Sequence, residues 1–188
     1  MTSIIQPGNP LIFMKVGIHA KETIEEILER KQREFDLAGK IFWGYGGSTC
    51  HPRTMVQPFA REAMTKGQIV NIMMQKMDSN HFAEPVLAKE YSEDGIEWDA
   101  VPTGIEVRGS RFALVLGEIH EAEFDFNYGS LGVAVGPSRG KSAADYLKGQ
   151  VDKGCFEVQE PDEVREPGKS CHIDLVAPVL APYAVFLR

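Results

Sequence analysis

From Arg111 onward the chain keeps returning to short apolar runs, and most links between them are too short to carry a crossover helix. Arg111 to Ile119, Leu131 to Val135, Cys155 to Gln159, Cys171 to Val176 and Tyr183 to Leu187 read as strands, with one short helix over Ala143 to Lys148. Parallel neighbours need a connection of about a dozen residues or more, whereas antiparallel neighbours need only a turn. The chain is therefore expected to be α+β rather than doubly wound: a mixed, largely antiparallel sheet or partly closed barrel of roughly eight or nine strands, with about three helices.

The first half supplies most of the helix. Leu11 to His19 suits a buried strand, and Thr23 then opens a helical pattern with Glu26 three positions on, the two halves of a capping box. Ile24, Ile27, Leu28 and Phe35 share one face, while Glu26 with Arg30 and Glu29 with Arg33 support an exposed opposite face. Ile41 to Trp43 reads as a strand running into Gly44, Gly46 and Gly47. A second helix is expected over Phe59 to Lys66, after Pro58, and a strand over Gln68 to Gln75. Pro85 to Tyr91 and Ile96 to Asp99 flank Glu93-Asp94-Gly95, where Asp-Gly predicts a hairpin. The acidic runs Glu90 to Asp99, Glu118 to Asp125 and Glu157 to Glu166 read as solvated faces and turns.

With 188 residues, 43% of them hydrophobic, the chain suits a single domain over its whole length. Cys50, Cys155 and Cys171 cannot all pair and lack the spacing of a disulfide framework, which favours a reducing, cytoplasmic setting. The opening MTSIIQPGNP has no signal-peptide character. No run approaches the roughly 20 apolar residues that span a bilayer, so no membrane partner is expected. A net charge of -7 disfavours long nucleic acid, whose phosphates demand a broad basic surface. A small anion held by a local cluster of cations and amides is not excluded. No cofactor motif is present, and a homo-oligomer remains compatible with the chain.

Two segments stand out as candidate binding elements. The first is LGVAV-GPSRGKS-AADYLKGQ, a strand, a glycine turn from Gly136 to Ser142 and a helix. Its backbone amides, with Ser138, Arg139, Gly140, Lys141 and Ser142, suit an anion site. It resembles the P-loop of nucleotide triphosphatases only in part, because three residues rather than four separate Gly136 from Gly140 and no second acidic magnesium motif follows. Against phosphate stands Asp145, and Ser142 can simply cap its own helix. The second segment is FWGYGGSTCHPR. Trp43 and Tyr45 interleaved with glycines suit a planar ring, and Ser48, Thr49, His51 and Arg53 offer hydrogen bonds beside it. Trp98 is a further stacking candidate.

Two weaker clusters complete the set. Asp78, His81 and Glu84 could supply a general base with an orienting carboxylate, or metal ligands. The dipeptides Cys50-His51 and Cys171-His172 lack zinc-hairpin spacing and read as buried thiols beside satisfied histidines. No nucleophile elbow, zinc-protease helix or dinucleotide fingerprint is present. The leading expectation is a binding protein for a small, nucleotide-like phosphorylated molecule, sensing or sequestering a nucleotide signal. An enzyme acting on such a ligand through His51 or His81, and an RNA- or modified-base-binding module with a PUA-like barrel, are the alternatives.

Overall fold

The computed structural model describes residues 4–46, 50–81, 83–148, 151–161 and 170–188, the side chains of 79–81 excepted. Its elements in chain order are β1 (Pro10–His19), α1 (Ile24–Ala38), β2 (Ile41–Gly46), α2 (Arg53–Thr65), β3 (Asn71–His81), β4 (Glu90–Ser92), β5 (Asp99–Ala100), β6 (Phe112–Leu116), β7 (His120–Asn127), β8 (Leu131–Val133), α3 (Ala143–Tyr146), β9 (Lys153–Val158) and β10 (Ser170–Leu187). The strands form one open, ten-stranded sheet with the main path β2-β6-β10-β3-β1-β9-β8. Among the described residues β1 and β3 run parallel and the other pairings are antiparallel. The fold is α+β, as the sequence pattern implies, and the sheet does not close into a barrel.

β10 is the spine. Its first half runs beside β7, its centre beside β3, and its second half beside β6, with β4 joining at Phe186 and Leu187. β6 and β7 follow one another along the same side of β10, interrupted only at 117–119. The sequence pattern divides this stretch into two strands, because Pro178 and Pro182 cannot donate to a ladder. The chain accommodates both. Gly117 donates its N–H to the Pro178 carbonyl at 2.9 Å, and Pro182 falls in a register shift between Val179 and Ala184, where Leu180 and Ala181 are exposed. Strict alternation does the rest: Cys171, Ile173, Leu175, Ala177 and Val179 are buried, and the residues between them are less so.

The same period explains β7, which the sequence pattern assigns to a solvated acidic run. Ala122 and Phe126 turn inward while Glu121, Glu123 and Asp125 face solvent, and these charges protect a strand that, among the described residues, pairs only with β10. At β1, Leu11, Ile12 and Phe13 are all fully buried because both faces of the sheet are covered. Ile12 joins Ile72, Met74, Leu114 and Leu175 under α1 and α2, whereas Leu11 and Phe13 join Met73, Phe156 and Ile173 on the face that α3 covers.

The helices show one agreement and two differences. The Thr23/Glu26 capping box forms at the start of α1. Helix α2 begins at Arg53, directly after Pro52, and holds Pro58 inside it. An interior proline costs about 3 kcal/mol of helix propensity; burial of Val56, Ala60 and Ala63 against the sheet offsets it. On the charged face of α1, Glu26, Glu29 and Arg33 are exposed as their spacing suggests, but Arg30 is buried, as is Lys31 beside it. Lys31 Nζ donates to Glu34 Oε1 at 2.7 Å and to the carbonyls of Phe42 and Glu106 at 2.6 and 2.7 Å. Arg30 forks onto Glu22 at 2.9 and 2.7 Å and also reaches the Glu106 carbonyl. Burial pulls the Lys31 ammonium down to about 8, so it is still largely charged at neutral pH. This network clamps the segment around Glu106 onto α1.

Because Glu34 is the shared acceptor of Arg30, Lys31 and the Glu106 N–H, Glu34→Ala leaves the buried Lys31 ammonium without a carboxylate partner, while Arg30 keeps Glu22, and should cost about 3–5 kcal/mol. Lys66→Ala removes an exposed pair with Glu62 and should cost under about 1 kcal/mol. Urea denaturation of the two variants measures the contrast.

Candidate functional site

The chain leaves β2 at Gly46, and Cys50 and His51 then take φ of 55° and 59° in succession. Left-handed backbone costs a residue with a Cβ about 1 kcal/mol or more, so this corner persists only because its surroundings hold it. Pro52 follows and α2 begins. The corner drives His51 into the edge of β9, where the Cys155 N–H donates to His51 Nδ1 at 2.9 Å. The neighbouring Cys155 carbonyl accepts from Ala134 at 3.0 Å. At the point where the chain beyond β8 parts from β9, the imidazole stands in for the next strand carbonyl.

That bond sets the chemistry of the ring. A nitrogen that accepts carries no proton, so the neutral imidazole bears its hydrogen on Nε2. Burial, with only 5% of the residue exposed, holds the His51 pKa below its ordinary value. Tyr146 stacks on the imidazole with centroids 4.9 Å apart and planes 19° apart, and itself meets the edge of Phe156. Gly154 makes room for this stack, since a Cβ there would come within 3.1 Å of Tyr146 and 2.9 Å of Phe156.

The Gly136 turn lies against this corner. A Cβ on Gly136, whose φ is 72°, would sit 3.2 Å from Met55 Sδ and 3.8 Å from His51 Cδ2. The His51 end of the aromatic segment and the glycine turn therefore meet. Within the turn, Arg139 N–H donates to the Gly136 carbonyl, Gly140 N–H to Val133 and Lys141 N–H to Ser138, at 3.1, 2.8 and 3.0 Å. Ser142 caps α3 by accepting from Ala144, and α3 is only four residues long. These amides are committed to the turn itself, so its outward positive character comes from the Arg139 and Lys141 side chains.

Between α2 and the 134–139 strip runs a groove of about 640 Å³. Met55, Pro58, Phe59, Glu62 and Lys66 form one wall, and Ala134, Val135, Gly136 and Arg139 the other. Its ionic groups are balanced. The Lys66 ammonium, 2.7 Å from Glu62, holds the Glu62 carboxyl below its usual range with help from the Arg139 charge.

The other candidates lie elsewhere. Trp43 and Tyr45 are packed into the core beneath the helices, 5% and 0% exposed, with Tyr45 against Phe112 and the Lys153 ammonium 5.4 Å from its ring centre. Neither ring is presented to a groove. The Tyr45 hydroxyl and the Trp43 indole N–H have no hydrogen-bond partner among the described residues. Arg53 covers the Phe186 ring at 4.5 Å, and Trp98 is itself covered by Arg188 at 4.1 Å. Ser48, Thr49 and the His81 side chain lie outside the described residues. Asp78 and Glu84 are exposed, and among the described residues no three His, Cys, Asp or Glu side chains gather as metal ligands.

At the second Cys-His pair, extended backbone sends Cys171 into the core and His172 outward, between Asp125 at 3.0 Å and Glu123 at 3.2 Å. Asp125 first, then Glu123, raises the His172 pKa. The sequence pattern does not identify Met55, Phe59, Lys66 or Tyr146 as parts of a site. Their one legible signal was Cys-His-Pro directly ahead of a helical pattern. Among the described residues no helix is long and apolar enough to cross a membrane. No protein-family model, curated protein or solved structure matches the chain.

Two expected outcomes follow from this geometry. In an NMR titration of the imidazole ring protons, His51 should titrate below 6.5 and His172 above it. The signs of their stability contributions are opposite. That of His51 is complete above pH 6.5 and is lost as pH falls through its folded pKa, whereas that of His172 is complete below 6.5 and is lost as pH rises through its folded pKa. Gly136→Ala should cost about 2 kcal/mol by denaturant unfolding, from backbone strain plus overpacking on Met55. Gly140, with φ of 82° but open space around it, should lose only about 1 kcal/mol on the same change.

Proposed function

We propose that the protein binds a small, phosphorylated, nucleotide-like molecule in the groove between α2 and the 134–139 strip, as a cytoplasmic sensor or sequestering protein for a nucleotide signal. One observation carries this: the His51–Met55 corner and the Gly136 turn meet beside a groove of about 640 Å³, within the range that small-molecule sites occupy. Met55, Pro58 and Phe59 offer an apolar wall for a base, a part first expected of Trp43 and Tyr45. Arg139 and Lys66 offer the charge for a phosphate, with the Arg139 fork suited to two of its oxygens. The overall charge of -7 repels polyanions, while Arg139, with Lys66 shared between Glu62 and the ligand, supplies local charge for a small one.

Binding is favoured over turnover by the state of His51. Its Nδ1 is occupied and its Nε2 protonated, so it is a donor and not a base. The RNA-binding alternative gains no support from the acidic face of β7.

Mass spectrometry of small molecules released on denaturing the purified protein, followed by calorimetry with nucleoside monophosphates and inorganic phosphate, tests the proposal. A nucleoside monophosphate should bind tighter than phosphate alone, and Arg139→Ala should weaken it roughly tenfold. Absence of binding at about 1 mM nucleotide, or an affinity indifferent to Arg139, would contradict it.

A further inference from the structure

We propose that His51 determines which ligand the groove accepts: through Nε2–H it binds a neutral carbonyl oxygen on the ligand's ring, so that oxo bases are preferred to amino bases. This role rests on the nucleotide reading above and adds a ligand class and an orientation to it. Four features of the site support the assignment. The Cys155 N–H occupies Nδ1, which leaves Nε2–H as an obligatory donor. His51 is buried, and no described group accepts from Nε2. Stacking on Tyr146 and the left-handed Cys50-His51 corner fix its plane, the kind of preorganisation that specificity requires. Gly136 lines the groove without a side chain, and directly behind it lies His51 Cδ2, the carbon bonded to Nε2, 3.8 Å from where a Gly136 Cβ would stand.

Charge then orients the ligand. The two groove cations, Arg139 and Lys66, are exposed at the surface, whereas His51 is buried and neutral. A phosphate pushed inward would exchange water and two cations for one neutral donor, at a large desolvation cost. A ring carbonyl loses far less and gains a hydrogen bond. An amino group at the same place would set donor against donor, and such mismatches are rejected strongly in enclosed sites.

Calorimetry with inosine, adenosine and purine-riboside 5′-monophosphates tests this. The first carries an oxo group at C6, the second an amino group, and the third neither; the last two share an unprotonated N1. Inosine monophosphate should bind about tenfold tighter than both others. The preference should shrink to within about twofold in His51→Phe, which keeps the stack, and should partly return in His51→Gln, which can both accept from Cys155 and donate. If His51→Phe does not fold, the wild-type Hε2 resonance decides: inosine monophosphate should move it downfield and adenosine monophosphate should not. Binding of all three without preference, a preference unchanged in folded His51→Phe, or an unmoved Hε2 resonance would overturn the role of His51 while leaving the nucleotide site standing. No binding of any of the three would overturn the site as well.

Discussion

The β10 ladder is the constraint on which the rest of the molecule depends. One strand of 18 residues serves β7, β3, β6 and β4 in turn, and removing it would leave backbone carbonyls and amides of all four neighbours without partners. That strand aligns β3, and through it β1 and β9, so the edge of β9 to which His51 bonds is set by pairings several strands away. The site is thus a local departure from a rigid frame. Where the chain leaves β8, a side-chain nitrogen replaces a strand carbonyl, and the departure is held by a strained corner on one side and an aromatic stack on the other.

The polar groups of the protein divide into two kinds with different physical consequences. Around α1, buried charges are nearly all matched: each proton of the Lys31 ammonium has an acceptor, and Arg30 is forked on a carboxylate. Such a network specifies one docking geometry for the segment at Glu106, and its value lies in the penalty for breaking it. Near the Gly136 turn the matching is incomplete. No described group accepts from the His51 Nε2–H, and the Tyr45 hydroxyl is buried without a partner among the described residues; buried unsatisfied groups are rare in folded proteins unless water or a ligand completes them. The match around α1 is not complete either, since Glu34 Oε2 is buried without a partner among the described residues.

Local signals in the chain were legible where the physics is local. Thr23 with Glu26 marks a helix start because both partners lie within one turn, and Asp94-Gly95 marks a hairpin because the turn itself demands it; Asp94 accepts from Ile96 and Glu97, and Gly95 takes φ of 85°. Features that depend on distant partners were not legible. Arg30 and Lys31 look solvent-facing until the carbonyls of Phe42 and Glu106 arrive from other parts of the chain. Pro58 looks like a helix start, and only the sheet beneath α2 lets the helix run through it. The acids of β7 look like a loop because alternation with just two buried residues, Ala122 and Phe126, is a faint period. Of the candidate site, the turn from Gly136 to Ser142 and His51 were identified and do meet, but the aromatic rings ahead of His51 serve the core and the apolar wall of the groove comes from α2.

The central claim is that ligand binding occurs where the start of α2 meets the Gly136 turn. Amide chemical-shift mapping of the uniformly labelled protein during titration with inosine 5′-monophosphate tests it most directly. Shifts concentrated at residues 51–66 and 134–142, with the Trp98 and Arg188 region silent, are the predicted result. Shifts centred on Trp98, Arg53 and Arg188, or on the Lys31 network, would contradict it.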